Sequence, residues 1–171
     1  MTDTRQLRIL KGLTTHLEGI IPLNGYDFDL TGRVYRGKAR FGAEEPVPFV
    51  SILESMRPDP RPMEAGNERL NREERWELLI QGWLKENREY PTDDLYLLKG
   101  AVEKRLSEII AVDGQGNPVA PRHVYRLGGL IVGLRIGPGV VRAATPQVGG
   151  TEAFYLPILV IYAINLADPY A

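Results

Sequence analysis

Pro48-Phe49-Val50-Ser51-Ile52-Leu53 and, further along, Trp76-Glu77-Leu78-Leu79-Ile80-Gln81-Gly82-Trp83-Leu84 decide the fold. Both read as β-strands. In the second, Trp76, Leu78, Ile80 and Leu84 share one face, while Leu79 and Trp83 make the opposite face partly apolar. A strand wanted on both faces is internal to its sheet or meets a neighbouring subunit. Between the two strands runs a long polar interruption, Ser55 to Arg72. Strand-to-strand loops usually take about 2–5 residues, and loops beyond about 12–15 are normally functional or disordered. Pro58, Pro60 and Pro62 stand at alternate positions and stiffen its first half into an extended path unsuited to a sheet interior. The reading is of a domain that holds out an arm.

Working outward, Asp3 or Thr4 caps a first helix whose Leu10, Leu13, Leu17 and Ile20 or Ile21 recur at helical spacing. Pro22 and Asn24-Gly25 close it. Gly32 to Phe41 alternates loosely as a half-exposed strand, with Gly37 as a candidate bulge. The turn Gly42-Ala43-Glu44-Glu45-Pro46 then predicts a hairpin with the strand at Phe49 to Glu54. After the arm, Thr92 caps the clearest helix, Asp93 and Asp94 complement the positive end of its dipole, and Leu95, Leu98, Val102, Leu106 and Ile109 form its buried stripe. A polar loop from Asp113 to Gly128 follows, then a strand through Leu130, Val132, Leu134 and Ile136, which Val140 to Ala143 either continues or pairs back on as a short ribbon. The closing segment Phe154 to Ile164 is apolar on both faces, with a ladder donor missing at Pro157. Residues 1–171 are thus expected to form one α+β domain, a mainly antiparallel sheet with two helices on one face and a projecting loop at 55–72.

A chain of 171 residues, 43% hydrophobic, is enough for one domain with a real core. The 21 basic and 22 acidic residues leave a formal net charge of -1, which gives no whole-molecule field for gathering nucleic acid or anionic lipid. Zero cysteines remove disulfides, thiolate metal sites and cysteine nucleophiles together. Met1 to Gln6 lacks the pattern of a signal peptide, and the longest apolar run, Ala153 to Ile164, is too short to span a bilayer. The expectation is a soluble protein made in the cytoplasm, with no membrane partner.

Catalytic signals are sparse. His16, on the first helix, and His123, in a loop, show no metal-ligand spacing and read as ordinary helix-face and surface residues. Ser51, Ser55 and Ser107 lack a nucleophile-elbow context. The glycines at Gly32 to Gly37 and Gly128 to Gly133 match no phosphate-cradling loop. Glu73-Glu74 and Asp93-Asp94 are explained by solvation and helix capping. No catalytic, cofactor or metal site is expected, and the chain reads as a non-enzyme. Arg33, Arg36, Lys38 and Arg40 are a basic cluster, and on a strand Arg36, Lys38 and Arg40 would share one face. A solvated sheet face is the plainer reading; a contact with an acidic partner or nucleic acid is the functional one, and without interleaved aromatics base stacking is not indicated.

In the order of these elements the chain resembles the tail terminator (tail completion) proteins of long-tailed bacteriophages. The resemblance is carried by the opening helix at Leu7 to Ile21, the strands at Gly32 to Phe41 and Pro48 to Glu54, the Arg75 to Trp83 strand, the Asp93 to Ala111 helix and the Phe154 to Ile164 strand. It is one of layout over most of the chain, without a short diagnostic motif. It implies a structural virion protein forming a homo-oligomeric ring, usually a hexamer, at the head-proximal end of the tail tube. Such a ring stops tube polymerisation and joins the tail to the head-completion (neck) proteins. DNA would pass through its lumen without sequence-specific binding. The protein would be assembled in the host cytoplasm and reside in the virion. Interface contacts are then expected from Arg57, Asp59, Arg61, Met63, Glu64, Asn67 and Arg69 in the arm, and from Arg36, Lys38 and Arg40. The alternatives are another neck connector or tube-like component, or an unrelated intracellular protein-binding adaptor.

Overall fold

Two fifteen-residue strands, Asn71–Lys85 (β3) and Thr151–Asn165 (β6), pair antiparallel along their whole length and form the spine of the sheet. The computed structural model describes residues 2–39, 42, 45–54, 70–85, 87, 89–90, 92–143 and 151–170, the first two of the last segment by backbone alone. Around the spine lie Val34–Arg36 (β1), Phe49–Glu54 (β2), Gly133–Ile136 (β4) and Val140–Arg142 (β5). The sheet order is β1-β2-β3-β6-β4, with β5 also on β6. Among the described residues three α-helices accompany it: Arg5–Glu18 (α1), Asp93–Ser107 (α2) and the single turn Arg126–Gly129 (α3). The protein is α+β with a mixed, mostly antiparallel sheet.

One face of the sheet carries Val50, Ile52, Leu78, Ile80, Phe154, Leu156, Ile158, Val160 and Tyr162, all buried. Against it α2 buries Leu95, Leu98, Val102 and Leu106, and Ile109 follows just past its end, all as the heptad-like spacing predicts. Each large aliphatic buried this way contributes roughly 1.5–3 kcal/mol of transfer free energy. The α1 stripe is rotated slightly from expectation: Ile9, Leu13, Leu17 and Ile20 are buried, while Leu10 is only partly so. His16 belongs to this stripe, only 7% exposed. Its Nε2 lies 2.6 Å from the Arg105 carbonyl, and Arg105 Nε donates back to the His16 carbonyl at 2.8 Å. This reciprocal pair staples α1 to α2. Arg105 Nη1 also donates to Glu108 Oε2, and Tyr26 donates its hydroxyl to Glu108 Oε1. Because a carbonyl only accepts, His16 carries its proton on Nε2.

Thr4 caps α1, its hydroxyl accepting from Leu7 N–H at 3.3 Å. At α2 Thr92, at φ 83°, makes no side-chain cap bond, contrary to expectation; its carbonyl accepts the first intrahelical bond, from Tyr96 N–H at 2.9 Å.

Two expectations fail at the sheet's edges. The predicted hairpin between the first two strands is not formed, since β1 pairs with β2 in parallel, Val34 opposite Val50 and Arg36 opposite Ile52. Parallel neighbours need a crossover of about a dozen residues, and 37–48 provide it in place of a tight turn. Gly37, at φ 68°, ends the strand and its N–H donates to the Ile52 carbonyl; Ser51 Oγ then holds the departing chain by donating to the Lys38 carbonyl. At the other edge the strand expected from Leu130 begins only at Gly133, because Arg126–Gly129 winds into α3. β4 and β5 lie in line on the same side of β6, not paired back on each other. The break between them faces Pro157, whose carbonyl accepts from Gly137 N–H at 2.8 Å. In an antiparallel ladder a residue's N–H and C=O point the same way, so the donor that Pro157 lacks falls where the edge strand is interrupted.

The long connection between β2 and β3 also differs from its reading. β3 begins at Asn71, before Trp76, and Leu70 already takes part, its carbonyl accepting from Leu166 N–H. Yet β2 reaches only to Glu54, opposite Leu78. The part of the predicted arm at 55–69 lies outside the described residues.

Candidate interaction surface

All three helices pack on one side of the sheet, so among the described residues the other side has no helical cover. Register places its side chains in rows. Phe49, Trp83 and Ala153 form one row; Tyr35, Ser51, Gln81, Tyr155 and Val140 the next; Leu53, Leu79 and Pro157 the third; Glu77, Leu159 and Arg135 the fourth. The first rows are closed by their own aromatics. Phe49 packs 6.0 Å from Tyr35, edge-on, and 6.1 Å from Trp83, and is only 2% exposed. Arg142 lies over the Tyr155 ring at 5.6 Å.

The third and fourth rows open into a groove of about 730 Å³, floored by Leu53, Leu79, Pro157 and Leu159. The leucines are half-buried and Pro157 is exposed. Glu77 stands at its β3 side and Arg135 at its β4 side, in one row across Leu159, while Glu54, in register with Leu78, belongs to the helix-bearing face. A solvated antiparallel sheet face normally alternates to polar residues; here four adjacent positions stay apolar. Such a surface suits contact with another macromolecule better than chemistry.

Of the basic stripe expected of Arg36, Lys38 and Arg40, the first two residues do not share a strand face, because β1 ends at Arg36 and Gly37 turns the chain. Arg36 is exposed on β1, on the helix-bearing side. Lys38 is half-buried, paired with Glu45 and lying 4.2 Å above the Tyr35 ring. It helps hold the crossover in place. Arg40 falls outside the described residues, as do Arg57, Asp59, Arg61, Met63, Glu64, Asn67 and Arg69. Among the described residues, no group of three or more His, Asp or Glu side chains is arranged to hold a metal ion, and no helix is long and apolar enough to cross a membrane.

Sequence reasoning missed the groove as a unit. Its signal was present in the apolar Leu79 on β3 and in the two-sided apolarity of β6. What was missing was the register that brings Leu53, Leu79 and Pro157 into one row and puts Arg135 beside Leu159.

No protein-family model matches the chain, and no curated protein matches it significantly.

Proposed function

We propose that the protein is a structural, non-catalytic component of a bacteriophage tail. In this reading it forms a homo-oligomeric ring, of six subunits by resemblance, that caps the head-proximal end of the tail tube and joins it to the neck proteins. The supporting observation is the lopsided two-layer slab: helices on one face of the sheet, an apolar groove on the other, and the root of a long connection beside that groove at Glu54. A near-neutral charge of -1 suits side-by-side packing of identical copies better than a large single-sign charge. The element order supplies the family resemblance, and the groove supplies a place for subunits or tube to meet.

The test is particle mass, with electron microscopy, of the full chain alone and mixed with tail tubes. Rings seated on one end of the tubes, with halted tube growth, are expected. Rings that never engage tubes would favour another neck connector. A persistent monomer that leaves tube growth unaltered would set the reading aside in favour of an adaptor.

A further inference from the structure

Where the expected strand fails, at 130–132, the chain has just left a strained turn. Arg126, Leu127, Gly128 and Gly129 stand at φ 50°, 52°, 69° and 90°, four left-handed residues in succession. Glycine enters that region freely. Arginine and leucine enter it against the clash of Cβ with the following carbonyl, and L-residues rarely do so more than one at a time. α1 holds the turn. Arg5 Nε donates to the Leu130 carbonyl at 3.1 Å, and Arg5 Nη2 to the Gly129 carbonyl at 3.3 Å. The Leu127 side chain is buried, and a Cβ added at Gly12 of α1 would lie 3.6 Å from Leu127 Cδ1. The first turn of α1 is itself tied to the chain's end. Arg5 N–H donates to the Pro169 carbonyl at 2.9 Å, and Arg8 Nη2 to the Tyr170 carbonyl at 2.9 Å.

Beside this turn the ladder on β6 is unfinished. β4 covers β6 only as far as Ile161. The Pro157 and Ile161 carbonyls accept from Gly137 and Val132, so the odd-numbered backbone groups of β6 face β4. Ala163 therefore turns its N–H and C=O toward an edge that carries no strand among the described residues. The register of Gly133 on Ile161 continues to Ile131 on Ala163, yet Ile131 N–H donates instead to the Arg126 carbonyl at 3.2 Å. The side chains are out of phase as well. Leu134 is buried, so a regular strand would bury Val132 and turn Ile131 to the open face. The reverse is found: Ile131 is 2% exposed and Val132 40%. The slip is absorbed where Val132 N–H reaches the Ile161 carbonyl at 2.7 Å, the residue that register sets opposite Gly133. Leu130, Val132, Leu134 and Ile136 thus alternate for a longer strand than the one formed.

We infer that residues 126–132 are a two-state strap, either a left-handed turn clasped by α1 or an extension of β4 along the vacant edge of β6. In the extended state Ile131 pairs with Ala163, and Val132 turns inward as Ile131 turns out. The exchange trades like for like: one buried aliphatic for another, and two ladder bonds for those that Ile131 and Arg5 now make. Backbone strain at Arg126 and Leu127 favours the strand. Arg5 and the buried Leu127 favour the turn, so Arg5 is the catch. Behind it stands Tyr170, 51% exposed, where an outside contact on the chain's end would release α1's first turn. β4 also carries Arg135 of the groove, so lengthening it braces that wall. The strap goes beyond the tail reading and stands or falls without it.

The experiment follows amide hydrogen exchange and proton–proton Overhauser contacts in the full chain by NMR. In wild type the Ala163 amide should exchange fast and the Ile131 amide slowly. Arg5→Ala should slow exchange at Ala163 by about tenfold or more. It should also bring up a contact between the α-protons of Val132 and Tyr162, which face each other as a non-hydrogen-bonded pair only in the strand. Arg126→Val leaves Arg5 in place but puts a β-branched residue into the left-handed region, and should move both signals the same way. Adding Val132→Asp to either variant, tolerated where Val132 is exposed and costly where it turns inward, should cancel both shifts. Circular dichroism and slow exchange at Ile80 in the spine identify the folded variants. Should Arg5→Ala unfold, Arg126→Val and its Val132→Asp double variant decide alone. An Ala163 amide that stays open in the folded single variants overturns the strap. So does protection at Ala163 that survives Val132→Asp, or a wild type that already shows the Val132–Tyr162 contact.

Discussion

Gly82 shows how a single residue sets the spine. It lies opposite Phe154 in the β3–β6 ladder, and an added Cβ would sit 2.0 Å from Phe154 Cε1. The ring cannot retreat, since Phe154 is fully buried in the core. Gly82→Ala is therefore expected to destabilise by about 1–3 kcal/mol through overpacking, read as a lower urea midpoint at unchanged slope. His16 makes a prediction of a different kind. Burial holds its pKa below the ordinary 6.5; the bond to the Arg105 carbonyl and the charge of Glu108 pull upward, and the Arg105 guanidinium pushes down. The unfolded chain thus takes up a proton before the folded one does. The stability this group contributes is complete above about pH 6.5 and is lost as pH falls from there toward the folded value. Urea midpoints measured between about pH 7.5 and 5 should fall with acid in wild type and fall less in His16→Gln. An equal acid slope in both proteins would remove His16 from the account. The sequence placed this histidine on a helix face but gave no sign that the face was buried. That depends on Arg105, 89 residues away, supplying the carbonyl.

At the scale of elements, legibility followed period and length. The α2 stripe was readable because five apolar residues at helical spacing leave one solution, and the structure buries all five. Leu98→Ala should cost about 2–5 kcal/mol, while Ser107→Ala, on the exposed side, should cost little. A comparable loss at both positions, measured by urea unfolding, would contradict the assigned face. The apolar face of β3 was likewise readable from alternation alone. Strand direction was not. Val34-Tyr35-Arg36 has the same side-chain alternation whether it lies parallel or antiparallel to β2, and the turn-like Gly42 to Pro46 tilted the reading toward a hairpin. What decides is Gly37, whose φ of 68° swings the chain out at Arg36 before a tight turn can close. Arg36 and Lys38 part for the same reason, since β1 has ended before Lys38 is reached. The groove was half legible: apolar residues were visible strand by strand, but their assembly into one floor needed the registers of β2, β3, β6 and β4 together.

For the whole molecule, the arm at 55–69 and the groove beside its root carry the assembly proposal. The arm's mixed charges favour a role in register between neighbours over raw affinity. Replacing 58–67 residue for residue with a Gly/Ser segment should leave the domain folded and impair tube capping; normal capping by that variant would strip the arm of its role. Keeping the length matters, because of where β2 stops. Glu54 faces Leu78, and Leu70 lies eight residues beyond Leu78 along β3. At about 3.3 Å per residue, plus one lateral strand spacing, the two anchorage points are some 27 Å apart. A chain extended at about 3.5 Å per step needs at least seven intervening residues to reach, and fifteen are present. Only about half of the connection is thus surplus contour. A deletion of ten residues would leave a span too short for its own anchorages, and the β3–β6 ladder would have to unzip from its Leu70 end to close the gap. Loss of assembly in such a deletion would report a broken ladder, not a missing contact.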